Sequence, residues 1–282
     1  MPPPAVPRFG RILLIGKQRS AETESSLTDL GQFLRKRGCE VLAAGETRAD
    51  LAIVVGGDGT MLAAARELVR HHVPLVGINQ GRLGFMTDIG HDDMQVGVGA
   101  ILDGQYAIEE RTLLDAEIVR GGKSMLRTIA LNEAVIGKGS QGRLIEFELS
   151  IDGEFVYRLR ADGIIVATPT GSTAYALSAQ GPILQPAVPA FTLVPLNPHT
   201  LSARPVSVSD HCRIEVLMVH ALDARAHFDG LALHDMVEGD RLILKRSADV
   251  VRFVHPPSYR FFATLREKLG WSESIEKRRA TD

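Results

Sequence analysis

Over the first hundred residues, short apolar runs alternate with stretches in which apolar side chains recur every third or fourth position. The runs at residues 11–16, 40–43, 51–55 and 74–79 read as strands, the later ones apolar enough to be buried on both faces of a parallel sheet. Residues 22–37 carry Leu27, Leu30, Phe33 and Leu34 at helical spacing, with Gly38 placed as a stop. Residues 61–71 continue as a second helix. Strand and helix in alternation predict an open α/β (Rossmann-like) sheet with right-handed crossovers. Such sheets bind ligands beyond the carboxyl ends of their strands.

After about residue 105 the period shortens to two. Residues 113–119, 143–151, 155–160, 163–167, 213–219, 241–246 and 250–254 read as strands. Gly121-Gly122, Asp152-Gly153 and Asp229-Gly230 supply turns. This half predicts a β-sandwich-like domain with sheets packed face to face. Residues 258–271 turn helical again, with Phe261, Phe262, Leu265 and Leu269 as one stripe. The expected division is 1–105 α/β, 106–256 β-rich, and 257–282 a helix packing back on the first domain.

The 282 residues leave room for two domains, and 45% apolar with 23% charged residues is a globular balance. A net charge of −2 without a dense basic run argues against nucleic acid or anionic membrane as partner. Lys277-Arg278-Arg279 is short and reads as solvated. The apolar run at 12–15 is too short for a signal-peptide core, and no segment reaches spanning length. Cys39 and Cys212 read as small core residues of a reducing cytoplasm, with a disulfide between them left open.

Candidate chemistry begins where the strand at 51–55 runs into Gly56-Gly57-Asp58-Gly59-Thr60. Glycines let the main chain turn sharply and let a ligand come close. The following helix would aim unpaired N–H groups at the turn, which makes an anion site. A lone carboxylate in that cradle suits a general base that deprotonates a hydroxyl as it attacks phosphorus. The competing reading is that Asp58 caps the helix. Asn79-Gln-Gly-Arg-Leu-Gly-Phe85 falls at the same sheet edge. A second stretch, Thr168-Pro-Thr-Gly-Ser-Thr-Ala-Tyr175, packs five hydroxyls into eight residues before a short helical turn. That density suits recognition of sugar, phosphate or base edges, since a capping turn needs only one or two hydroxyls.

With GGDGT, Leu131-Asn-Glu133, the block from Asp162 to Tyr175, Gly81-Arg-Leu-Gly-Phe85 and the closing segment from His255 to Trp271, the chain resembles the NAD kinases over nearly its whole length. The resemblance implies transfer of phosphate from ATP to the 2′-hydroxyl of the adenosine ribose of NAD, with Asp58 as base. It implies phosphate contacts from Gly56, Gly57, Gly59 and Thr60, and magnesium only as the partner of ATP phosphates. Asn132 and Glu133, an amide beside a carboxylate, suit a vicinal diol and by similarity grip the ribose. Asp162 matches a contact to the nicotinamide end. Thr173, Ala174, Tyr175, Ala176, Leu177 and Ser178 match the adenine side, and Gly59 and Phe85 complete the NAD-binding set. Arg143 and Arg160 match positions near the dinucleotide and could meet its pyrophosphate. The family also implies a homodimer or homotetramer.

The chain departs from the common family pattern at Gln180, Ala203 and Leu231. Gly137-Lys-Gly-Ser-Gln-Gly142 satisfies G-x-G-x-x-G, yet a strand follows it where a dinucleotide fingerprint needs a helix, so it reads as a hairpin loop. No histidines have metal-ligand spacing. Two other readings stand beside the first: a lipid or sugar kinase sharing GGDGT, and a non-catalytic NAD sensor.

Overall fold

The computed structural model describes residues 9–16, 20–43, 45–81, 84–140, 142–230 and 232–271, with Ala232 and Leu233 described by their backbone. Arg82, Leu83, Gln141, Leu231 and the Lys277-Arg278-Arg279 cluster lie outside that set. The chain forms two compact units, residues 1–110 with 251–282, and residues 111–250.

The first unit opens with β1 (Arg11–Gly16), α1 (Ala21–Lys36), β2 (Glu40–Leu42), β3 (Leu51–Val55), α2 (Asp58–Leu68), β4 (Leu75–Asn79), β5 (Ile89–Gly90) and α3 (Met94–Leu102). β6 (Ala107–Arg120) carries the chain out of it. The second unit contains β7 (Lys123–Ala130), β8 (Glu133–Lys138), β9 (Ile145–Ile151), β10 (Glu154–Ala161) and β11 (Gly163–Ala167). After the short α4 (Tyr175–Ser178) come β12 (Ala190–Leu196), β13 (Val206–Ser209), β14 (Ile214–His220), β15 (Ala224–Phe228) and β16 (Ala232–Met236). β17 (Arg241–His255) returns the chain to the first unit, which ends with α5 (Phe261–Leu269).

In the first unit, β2, β1, β3 and β4 lie side by side in that order and all parallel. The returning end of β17 joins β4 in parallel at Phe253 opposite Leu75. Every residue of β3 and β4 is buried, as their unbroken apolar runs require. α1 starts at Ser20, whose Oγ accepts the Thr23 N–H, and lays Leu30 and Leu34 into the core. β1 has β2 on one side and β3 on the other, so the direction of winding reverses between β1 and β3. A crevice opens at such a switch point, and the glycine turn after Val55 sits there. α3 was missed by the sequence reading, because Met94–Leu102 is apolar nearly all round and has no period to detect.

The second unit holds two antiparallel layers. One runs β13-β12-β11-β8-β15-β16, and the other contains β10-β9-β14 with the first part of β17. Phe147, Phe191, Phe228, Val216 and Ile136 share one core drawn from both layers, the sandwich that period-two patterning predicts. β8 and β12 escaped prediction: β12 contains Pro195 and β8 ends in a glycine and a lysine, features that demote a strand. β17 is continuous where two strands were expected, and between the two expected runs Ser247 is buried with its Oγ accepting the Asp249 N–H. The α5 stripe is also corrected: Leu265 is buried but Phe262 is 58% exposed. Both cysteines are buried and free, which closes the question of a disulfide.

Candidate active site

α2 begins at Asp58, three residues earlier than its apolar period suggests, so Asp58, Gly59 and Thr60 form its first turn. Gly57 is the N-cap and makes no side-chain cap. Asp58 is therefore not the capping residue of the alternative reading. Its Oδ2 accepts the Phe85 N–H at 3.0 Å and its Oδ1 accepts the Met86 N–H at 2.9 Å. A carboxylate at the positive end of a helix dipole, with two amides donating to it, has its charge compensated beside an anion site. Four lone-pair directions exist and two are taken, so an incoming hydroxyl still finds an acceptor.

Glycines make this arrangement possible. A Cβ on Gly84 would collide with Asp58 Oδ1, and one on Gly77 would stand 2.7 Å from the Met86 carbonyl oxygen. Gly84 also donates its N–H to Thr87 Oγ1 at 2.9 Å, and Thr87 is fully buried. Around Gly57 and Gly59, by contrast, there is open space, and both are exposed. Phe85 is half-buried.

In the second unit, Leu131 and Asn132 turn the chain between β7 and β8, and Glu133 is the first residue of β8. Thr168 grips this turn: its N–H donates to the Asn132 carbonyl at 2.8 Å and its hydroxyl to the Leu131 carbonyl at 2.5 Å. Gly171 lies against the Asn132 backbone so closely that a Cβ would overlap the carbonyl. Two acceptors are left buried without a protein partner, Asn132 Oδ1 and Glu133 Oε2. Burial, and then the charge of Asp229, push the Glu133 carboxyl up to about 7.

Glu133 lines a cavity of about 520 Å³ together with Lys138, Asp162, Tyr175, Asn197 and His227. That volume is in the usual range of a small-molecule site. Burial alone would raise the Asp162 carboxyl, but Lys138 Nζ at 2.6 Å and the Asn197 amide at 3.0 Å outweigh it and hold it below the usual range. A second hollow of about 420 Å³ shares Leu196 and Asn197 with the first and is lined by Ser178, Gln180 and Ala203. Two of the departures from the family pattern thus fall on one wall.

The hydroxyl-rich block corrects an expectation. Besides Thr168, Ser172 Oγ donates to the Pro169 carbonyl at 2.6 Å and accepts the Leu184 N–H at 2.9 Å. Thr173 Oγ1 donates to the Thr170 carbonyl, and Thr170 Oγ1 accepts from Arg111. Three of the five hydroxyls, those of Thr168, Ser172 and Thr173, therefore bond the backbone of the block itself, and that of Thr170 ties it to Arg111. Tyr175 is the exception, 47% exposed and facing the cavity. Ala176 is buried against Ile165, Ala167 and Val194, Ala174 and Leu177 are half-buried, and Ser178 is exposed. Arg143 and Arg160 are exposed and line neither hollow. Lys138, Asn197, His227 and Asp229 were not singled out from sequence as site residues, since nothing in their local pattern marks them.

The first unit thus presents an acid inside a glycine turn at a sheet switch point, and the second a cavity of small-molecule size lined by Glu133, whose Oε2 is buried without a protein partner. That combination defines a phosphotransferase acting on nucleotides. The ATP-NAD kinase N-terminal domain model matches residues 15–106, and the ATP-NAD kinase C-terminal domain model matches residues 131–256. The chain belongs to the ATP-NAD kinase family. It is 53% identical to an NAD kinase of Aromatoleum aromaticum, over 94% of this chain and 95% of that one. An NAD kinase of Azoarcus sp. is 50% identical over 94% and 97%. Among solved structures, a yeast NADH kinase complexed with NADH superposes with a TM-score of 0.85 at 24% identity, covering 94% of this chain and 88% of that one, a likeness of fold. An Archaeoglobus fulgidus NAD kinase in complex with ATP gives a TM-score of 0.77 at 28% identity, covering 91% and 99%.

Proposed function

We propose that this NAD kinase transfers phosphate from ATP to the 2′-hydroxyl of the adenosine ribose of NAD, with Asp58 as the general base. The observation that carries the reading is the pair of buried, unpartnered acceptors Asn132 Oδ1 and Glu133 Oε2, which fits two adjacent ribose hydroxyls. The N–H groups of Asp58 and Gly59 and the open space at Gly57 and Gly59 receive phosphates, whereas the N–H groups of Gly56 and Thr60, expected to do so as well, donate to the Ile78 and Gly57 carbonyls. Asp58 accepts the hydroxyl proton on a lone pair that Phe85 and Met86 leave free. Tyr175 offers a ring face to a base, and Asp162, held by Lys138 and Asn197, meets the far end of the dinucleotide.

Among the described residues no three His, Cys, Asp or Glu side chains gather as a metal cage. Magnesium is proposed as the partner of the ATP phosphates, whose charge it would neutralise. Edge strand β10 exposes Phe155 and Val156, and a homodimer or homotetramer through the β-rich unit would cover them. The two free thiols support a reducing cytoplasm. Among the described residues no helix is long and apolar enough to cross a membrane.

The test is direct. The purified protein is incubated with Mg-ATP and, separately, NAD, NADH, a diacylglycerol or fructose 6-phosphate. Phosphorylation of the dinucleotide alone supports the proposal; product from the lipid or sugar, or none at all, overturns it.

A further inference from the structure

Asn132 and Glu133 can grip a diol only if something fixes where they point. The residue that does so is one the sequence marks as an ordinary turn. Asp229 follows β15 with φ 54° and is 7% exposed. Its Oδ2 accepts the Leu131 N–H at 2.9 Å, and its Oδ1 accepts the N–H groups of Asn132 at 2.7 Å and Glu133 at 3.1 Å. In return, the Asp229 N–H donates to the Glu133 carbonyl at 3.0 Å. Three successive amides turned toward one point form a concavity that elsewhere holds an external anion. Here a side chain of the protein occupies it.

The geometry points to Asp229 as the positioning residue of the ribose site: by drawing in three consecutive amides it fixes the direction of Asn132 Oδ1 and Glu133 Oε2. This rests on the reading of that pair as the ribose grip. Thr168 and Gly171 hold the carbonyl side of the same turn, and Asp229 holds its amide side.

The charge of Asp229 has a second effect, on the neighbour it positions. The titratable groups sharing the cavity with Glu133 are Lys138 on its own strand, Asp162 at the foot of β11, Tyr175 on α4 and His227 on β15. Lys138 and Asp162 are paired with each other. Asp229 is the charge that acts on Glu133, adding to burial in raising its carboxyl. Below about pH 7 Glu133 thus carries a proton and adds no repulsion toward an anionic dinucleotide. Above it, an ionised Glu133 beside Asp229 does.

The experiment follows KM for NAD and for ATP from pH 5.5 to 8.5 in the parent, Asp229→Asn, Glu133→Gln and Asn132→Ala. In the parent, KM for NAD should rise above a break near 7, and Glu133→Gln should remove the break. Asp229→Asn should raise KM for NAD roughly tenfold or more at pH 6.5, the scale of a lost charge-assisted hydrogen bond, and move the break to lower pH. KM for ATP should change far less. Simple loss of folded protein would lower the rate without moving a pH break. A folded Asp229→Asn with KM for NAD and break both within about twofold of the parent overturns the inference. Should that variant fail to fold, a parent without a break near 7, or a break that survives Glu133→Gln, overturns it instead. Asn132→Ala separates the two levels. No change in KM for NAD there sinks the ribose reading, whereas a rise there without one in Asp229→Asn sinks the Asp229 assignment alone.

Discussion

The Met86 N–H donates to Asp58 Oδ1 across 2.9 Å, and through this bond the acid of the glycine turn is tied to the loop that follows β4. Asp58 therefore has a structural duty beside the chemical one proposed for it. Asp58→Asn keeps the shape but loses the base, and turns an NH₂ toward one of the two amides. Turnover should fall by ~10²–10⁴ while NAD still binds. The melting transition should also drop, by about 1–3 kcal/mol for the unsatisfied amide. Near-normal turnover with only the stability loss would leave Asp58 a loop anchor and nothing more.

Gly84 tests the same geometry without touching the acid. A methyl at this position would overlap Asp58 Oδ1 and crowd Thr87 Oγ1, so it is the Asp58 side chain that must give way. Gly84→Ala should displace the carboxylate and cost at least ~10² in kcat, because a misplacement of about 1 Å is expensive in a base. Full activity in steady-state assays would show that Asp58 need not sit where it does.

On the other unit, Gly171→Ala should push the Asn132 carbonyl, which is backbone and cannot swing aside. The expected result is a destabilisation of about 1–3 kcal/mol in urea melts, typical of overpacking. KM for NAD should rise while KM for ATP holds. Equal rises in both constants would contradict a turn dedicated to one substrate.

Glu133 makes stability depend on pH. Its folded carboxyl, pushed up to about 7, lies above its ordinary value of 4.5, so the folded state holds a proton that the unfolded chain has lost. The stabilisation is complete below the unfolded value and disappears as pH rises through about 7. Between pH 5 and 8 the ligand-free protein should lose on the order of 2–3 kcal/mol from this group. Glu133→Gln should flatten that part of the curve. Urea midpoints at four pH values decide it, and parallel curves for parent and variant would refute it.

Periodicity reported the architecture well wherever a face was half-buried or a run was wholly apolar. β3, α1 and the alternation of β9 were legible for that reason. α3 and β12 were not, the first for lack of a polar face and the second for a proline inside a central strand. At the site, GGDGT and Asn132-Glu133 stand out by composition. What holds them does not: Asp229 meets residues 131–133 from nearly a hundred positions away, and a carboxylate before a glycine looks like any turn. The hydroxyl block misled in the opposite direction. Its composition suggested ligand contacts, but most of its hydroxyls serve its own tight backbone.

The placement of the end of β17 beside β4 bears on how the protein is born. Leu75 leaves the ribosome well before its partner Phe253. The edge of β4 at Leu75 therefore waits while all of residues 111–250 emerge, although β5 already pairs with the far end of β4 at Ile78 and Asn79. The sandwich has every partner it needs earlier, and so it should mature first on the nascent chain. A fragment ending at residue 110 would keep that gap permanently and should aggregate through it.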